Sequence, residues 1–319
     1  MNKKNWVIIV AAFFVLIFCL VLFLPIPVKL KKEITIESSL MNVSNQLTDL
    51  QNWKHWHPLF INEDTSLISY SNGTKNVNAA LHIDKHDFTI VNVGPVAITL
   101  KEKDEGKEIY ESFILMPDSS AQFTYVNWIK IITPFIWLRE KYNLNLEMES
   151  GLHGLKKFME DPQQFYGFPI EIRPVVDTLV IIKNAVVTEK DIHIALQKLY
   201  ANLQQYAQVN KIYGTGQRIA GFVPSENNKV EVIAGIVVNK KVLEKDSIKY
   251  LSMPRMGRML VGKFEGDYKN IKLLYNSVER YIADKHLKKV AMPYEKYLTD
   301  PHTPQDSLRM KVEVYFPIF

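Results

Sequence analysis

Hydrophobic positions along this chain change period several times, and each change marks an element. Residues 6–24 form an uninterrupted apolar run between Lys3-Lys4 and Pro25, without a charge or a strong helix breaker. At 1.5 Å per residue the run reaches roughly 28 Å, close to the ~30 Å hydrocarbon core, and so predicts an uncleaved transmembrane helix. Glu33 to Glu37 then alternates as a strand, and Ser39 opens a helix through Met41, Val43, Leu47 and Leu50. Period-2 segments run from Leu67 to Val126, with Ser71-Asn-Gly73 and Asp104-Glu-Gly106 as hairpin turns. From about Asn143 to Glu160 the apolar spacing returns to 3–4 residues at Leu144, Met148, Leu152 and Leu155, which predicts a helix. Asp161-Pro162 ends it, and Gln163 to Pro169 reads as a short linker.

The remainder contains an internal repeat. The helical positions Ile192, Leu196, Leu199 and Leu203 recur 79 residues later as Ile271, Tyr275, Val278 and Ile282. Flanking strands correspond as well, Thr178–Val187 with Arg258–Phe264 and Val230–Val238 with Met310–Ile318. Each half reads β-α-β-β, and two such halves can join their sheets. Near the end, Glu295 precedes Tyr297 by two residues, as Glu313 precedes Tyr315, so each pair shares one side of its strand. In the final strand Met310, Val312, Val314 and Phe316 make the opposite, core face.

Composition adds little to this pattern. The chain has 319 residues, 47% hydrophobic and 23% charged, which is ordinary for globular protein and large enough for two cores. The net charge of +5 comes without a dense Lys/Arg stripe, so no nucleic-acid partner is expected. The single cysteine, Cys19, lies in the apolar run, which excludes both an intramolecular disulfide and a thiol nucleophile in the later domains. No Gly-x-Ser-x-Gly elbow, phosphate loop or dinucleotide fingerprint is present, and no cofactor is implied. His82, Asp84 and His86 alternate along an expected strand, and His55 and His57 flank Trp56. Both sets read as a polar strand face and as packing residues, not as metal ligands. The lysines flanking the run do not settle orientation, but a short amino tail with two lysines favours domains outside the cytoplasm, anchored in a bacterial inner membrane by residues 6–24.

Two resemblances follow from particular residues. Asp49-Leu-Gln-Asn-Trp53 with Trp56 and Pro58, the curved strands, and Glu149-Ser-Gly-Leu-His-Gly-Leu-Lys-Lys157 resemble the polyketide cyclase/START-like (SRPBCC) superfamily over about residues 30–160, especially its members with an amino-terminal membrane segment. That resemblance implies a curved antiparallel sheet gripping a long helix around an apolar cavity. Gly266-Asp-Tyr268, Tyr294-Glu-Lys-Tyr-Leu-Thr-Asp-Pro301 and Glu313-Val-Tyr-Phe-Pro-Ile318 resemble the gyrase-inhibitor-like domain, also the effector-binding module of AraC-type activators. That resemblance implies a groove for amphipathic, often cationic small molecules with an acidic residue at its centre. By position Glu295 or Glu313 would supply the carboxylate, with Tyr268, Tyr297 and Tyr315 beside it.

The expected fold is therefore α+β. It comprises an anchor over residues 1–28, a START-like helix-grip domain over 29–162, a linker over 163–169 and a duplicated β-α-β-β domain over 170–319. The expected function is small-molecule binding or sensing at a membrane, ahead of a structural interaction module or a weak hydrolase using a groove carboxylate. No catalytic residue is assigned.

Overall fold

The computed structural model describes residues 6–7, 10–16, 26–61, 67–104, 106–176, 179–245, 247–253, 257–299 and 309–319. It is a mixed α/β structure with two antiparallel sheets, one in each of two compact units that divide between Asp161 and Pro162. Of the apolar run, residues 6–7 and 10–16 are helical, and the rest of it, Cys19 included, lies outside the described residues. Residues 10–16 rise only about 10 Å along a helix. Among the described residues no helix is long and apolar enough to cross a membrane. The expected transmembrane helix at 6–24 and the single-pass inner-membrane placement are overturned by this, and a bilayer partner is not shown.

In the first unit, β1 (Val28–Ile36) is followed by α1 (Leu40–Thr48), a 3-10 turn (Leu50–His55) and α2 (Pro58–Ile61). Six strands then run as a meander: β2 (Ser69–Ser71), β3 (Ala80–Ile83), β4 (His86–Val93), β5 (Ala97–Asp104), β6 (Lys107–Pro117) and β7 (Thr124–Ile132). The sheet order is β1-β7-β6-β5-β4-β3-β2, so the first strand closes against the last. Helix α3 (Pro134–Glu160) packs on β1 and β7. It begins nine residues earlier than the apolar spacing predicts, because Thr133 caps the Ile136 amide and Pro134 sits at the first helical position. The two glycines of Gly151-Leu-His-Gly154 let α3 lie against the aromatic turn. A Cβ on Gly154 would stand 2.4 Å from the Trp56 carbonyl oxygen, and one on Gly151 would stand 2.6 Å from the Trp128 ring.

That turn fills the interior. Trp53, Trp56, Trp128, Phe88 and Phe113 are all buried, with the His57 ring stacked on Trp53 at 4.9 Å. His55 stacks on Phe158. The His82-Asp84-His86 set is split by a hairpin, since Asp84 has φ +47° and His86 begins β4. His82 bonds Asp87 and Ser71, while His86 bonds Glu102.

The second unit contains α4 (Pro162–Tyr166), β8 (Ile170–Pro174), β9 (Leu179–Thr188), α5 (Ile192–Val209), β10 (Arg218–Ser225), β11 (Lys229–Val237), β12 (Lys249–Ser252), β13 (Arg258–Gly266), α6 (Ile271–Asp284), β14 (Tyr294–Tyr297) and β15 (Met310–Ile318). Its sheet order, β12-β9-β11-β10-β14-β15-β13-β8, sets β9-α5-β10-β11 beside β13-α6-β14-β15 with β10 and β14 at the join. One face of the sheet carries the helices. Leu199 and Leu203 of α5 and Val278 and Ile282 of α6 pack there with Ala220, Val232, Leu260, Val312 and Phe316. Residues 163–169 include the end of α4, whose Tyr166 is buried in this core and donates to Asp284 at 3.0 Å.

Candidate functional site

Strands β10 and β14 meet through only two register pairs, Ile219 with Lys296 and Ala220 with Glu295. Partners directly opposite in an antiparallel ladder point to one face, so Glu295 shares the helix-bearing side with Ala220. It also shares it with Val314 and Tyr297, through the pairing of β14 with β15 and the alternation along β14. Glu295 stands at the centre of the sheet, where the two halves join, and is 2% exposed. Its counterpart across the join is the small apolar Ala220, so the duplicated framework carries a carboxylate on one side only.

Three tyrosine hydroxyls converge on it. Tyr268, in the turn where Asp267 caps the Lys269 amide before α6, donates to Oε2 at 2.7 Å. Tyr297, two residues along β14, donates to the same oxygen at 2.8 Å, and Tyr275 of α6 donates to Oε1 at 3.1 Å. Among the described residues no lysine or arginine forms an ion pair with Glu295. Burial pushes the Glu295 carboxyl above its ordinary range, and the three hydroxyl donors counter this only in part. Burial and the adjacent carboxylate push all three phenols upward, so they remain donors. This arrangement can hold one negative charge without water or a cation, at the cost of desolvating it.

Glu313 occupies the other face. It pairs with Lys263 across β13 and with Lys296 across β14, and it is largely buried. Arg173 of β8 donates from Nη1 to Oε1 at 3.0 Å, and Tyr315 donates to Oε2 at 2.7 Å. Tyr315 stacks on Tyr294 with centroids 5.1 Å apart. The sequence-derived candidates thus fall into two groups on opposite sides of one sheet: Glu295 with Tyr268 and Tyr297, and Glu313 with Tyr315. Sequence reasoning missed Tyr275 and Arg173. Tyr275 had a signal, since it replaces Leu196 of the first repeat by a polar-tipped ring. Arg173 had none, because its approach to Glu313 spans 140 residues.

The first unit has its own polar cluster. Lys130 is fully buried and reaches Glu102 and Glu147 at 2.9 Å each and Glu111 at 3.7 Å. Burial works against the Lys130 charge, yet the three carboxylates hold its pKa well above the ordinary value. Burial alone would raise Glu102, but Lys130 and His86 bring it down to about 2. Burial raises Glu111 to about 7 despite Lys130, with Glu102 and Glu147 adding to the rise. His57, buried and beside Lys130, is lowered to about 3.

Residues 168–318 match the family of GyrI-like small molecule binding domains, so the second unit contains such a domain. That match does not extend to the first unit, and the START-like resemblance of residues 30–160 is not confirmed. No curated protein matches the chain. Among solved structures, the EcmrR C-terminal domain is 16% identical over 48% of this chain and 98% of its own, with a TM-score of 0.41. EcmrR in complex with DNA is 15% identical over 58% of this chain and 69% of its own, at 0.42. CalU16 from Micromonospora echinospora is 14% identical over 42% of this chain and 75% of its own, at 0.33.

Proposed function

We propose that the second unit binds or senses an amphipathic organic cation, with Glu295 as the counter-charge and Tyr268, Tyr275 and Tyr297 as the surrounding aromatic wall. The observation that carries this reading is a buried carboxylate held by three hydroxyls and, among the described residues, by no cation. A carboxylate kept in that state is poised for a positive charge: an incoming ammonium restores the electrostatic partner that water has been denied. The phenol rings add cation–π attraction and apolar contact of the kind small-molecule sites use. Tyr297 also lines a surface cavity with Gln217, Arg218 and Leu298.

Titration of the full chain with benzyltriethylammonium tests this. Glu295→Gln keeps shape and removes charge, so affinity should fall by about 1.5–3 kcal/mol, the scale of a hydrogen bond to a charged group. Affinity of the wild type should also weaken as acid protonates Glu295. If the cation binds and Glu295→Gln leaves its affinity unchanged, the carboxylate is not the counter-charge.

A further inference from the structure

The side of the second sheet opposite its helices should be wet, as one face of an antiparallel sheet usually is. It is instead apolar and recessed. Val180, Ile219 and Met259 on this side are buried. With Leu251–Met253 and Val290–Met292 they enclose a chamber of about 360 Å³. Its rim meets solvent, since Leu251 and Val290 are exposed. Two glycines lower its floor. Gly221 and Gly235 lie on this face of neighbouring strands, opposite Ile233 and Ile219 in an unbroken register, and neither has a positive φ. Without a bulge or a turn to account for it, glycine inside a strand marks a close approach to the sheet surface. At Gly235 the sheet itself makes that approach: a Cβ there would stand 2.7 Å from Ile219 and 3.0 Å from Val180. At Gly221 a Cβ would stand 2.4 Å from Met292 Cε, the end of a flexible side chain that is 38% exposed. Met292 is thus a movable stopper on an apolar floor, and Met253 and Met259 give the walls a similar adaptability.

The lining decides the charge of a guest. Among the described residues no Asp, Glu, Lys, Arg or His lines the chamber. Charged side chains enter only in an adjoining hollow of about 240 Å³, which shares Met259 and Tyr294 with it. There they already have partners. Arg173 donates to Glu171 at 2.9 Å and to Glu313 at 3.0 Å, Tyr315 donates to the other Glu313 oxygen, and the Lys296 ammonium lies 5.8 Å from the Tyr315 ring centroid. A charged guest would shed its water in the chamber without gaining a counter-charge. An uncharged one has nothing to lose.

We infer that this open face holds a second ligand site, separate from Glu295, for an uncharged aromatic molecule that displaces the Met292 side chain and lies on the Gly221 floor. A flat ring suits a floor where the backbone is left bare, and methionine sulfur makes favourable contacts with aromatic rings. The chamber falls within the size of ordinary small-molecule sites, ~300–1,000 Å³. Binding gains from removing both the ring and the open chamber wall from water. This site stands on the opposite face from the tyrosine cluster and does not depend on the reading given to Glu295.

Two fluorescent probes with one ring system test this. N-phenyl-1-naphthylamine is neutral, its 8-sulfonate carries one negative charge, and both brighten in apolar surroundings. Titration of the full chain should show saturable binding of the neutral probe, with the sulfonate weaker by roughly tenfold or more, the scale of an uncompensated charge at an apolar site. Gly221→Val fills the floor and Leu251→Trp fills the chamber from an exposed wall. Each should weaken the neutral probe by roughly tenfold or more. Circular dichroism checks that the variants fold, and Leu251→Trp carries the test alone if Gly221→Val does not. Glu295→Gln should leave the neutral probe unaffected. The inference is overturned if the neutral probe does not bind, if the sulfonate binds as tightly, or if no folded variant weakens the neutral probe. It is also overturned if the neutral probe is lost in Glu295→Gln. That last result would place the aromatic at the tyrosine cluster, and the benzyltriethylammonium titration would still judge the reading of Glu295 separately.

Discussion

Replacing Glu111 by Gln tests the charge balance inside the first unit. One ammonium, Lys130, faces three carboxylates, Glu102, Glu111 and Glu147, with His86 bonded to Glu102 and His57 held neutral nearby. Glu111 is the fully buried carboxylate of the three; its Oε2 accepts from Trp128 Nε1 at 2.8 Å, and its Oε1 has no partner among the described residues. It is therefore the group that keeps a proton, with its pKa raised from 4.5 to about 7. Below pH 4.5 the folded and unfolded states both carry that proton. Between pH 4.5 and 7 only the folded state does, so each pH unit removes about 1.4 kcal/mol of stability as pH rises. Across the window the loss is on the order of 3 kcal/mol, and above it the cost is constant. Glu111→Gln cannot titrate, so its stability should lack this term. All five tryptophans, Trp6, Trp53, Trp56, Trp128 and Trp137, precede residue 162, so tryptophan fluorescence during urea unfolding reports the first unit alone. The difference in stability between wild type and variant should grow in the variant's favour from pH 4.5 to 7.5. Parallel pH profiles would refute the assignment of the proton to Glu111.

Two further outcomes concern boundaries and close packing. We propose a domain boundary at Asp161–Pro162, so a fragment starting at Pro162 should unfold cooperatively by itself; one starting at Ile170 should be less stable by about 2–4 kcal/mol, because it loses buried Tyr166 and the bonds from Ser277 and Arg280 to the α4 carbonyls. Equal stability of the two fragments in urea would show that residues 162–169 are a mere linker. Gly154→Ala should destabilise the first unit by about 1–3 kcal/mol through the clash with the Trp56 carbonyl, read by the same fluorescence.

Local periodicity made much of the second unit legible. The 79-residue repeat of helical positions corresponds to α5 and α6, whose buried sets Ala195, Leu199, Leu203 and Leu274, Val278, Ile282 keep that offset. Alternation in the last strand separated the core-facing Val312 and Val314 from Glu313 and Tyr315. The membrane span was misread because hydropathy reports only whether a segment tolerates lipid. It does not report whether a continuous helix of sufficient length forms, and among the described residues none does. The buried cluster around Lys130 was also invisible from sequence. Lysine and glutamate at alternating positions look like a wet strand face, and only register brings Glu111 opposite Lys130 and turns both inward.

Register also explains why the two Glu-x-Tyr pairs, so similar in sequence, acquire different surroundings. Antiparallel pairing sets Lys296, not Glu295, opposite Glu313, and a one-residue offset in a ladder changes the face. Glu295 consequently turns under the helices, where α6 and the turn before it can deliver hydroxyls but no charged side chain without burying a second ion. Glu313 turns to the open side, where the edge strand β8 lies one strand beyond β13 and Arg173 can reach across it. A buried carboxylate satisfied by neutral donors keeps its charge available to a cationic guest, whereas one already paired with a guanidinium has little left to offer such a guest. The same backbone pairing thus gives the two carboxylates different partners, tyrosine hydroxyls beneath the helices and a guanidinium with one hydroxyl on the open side.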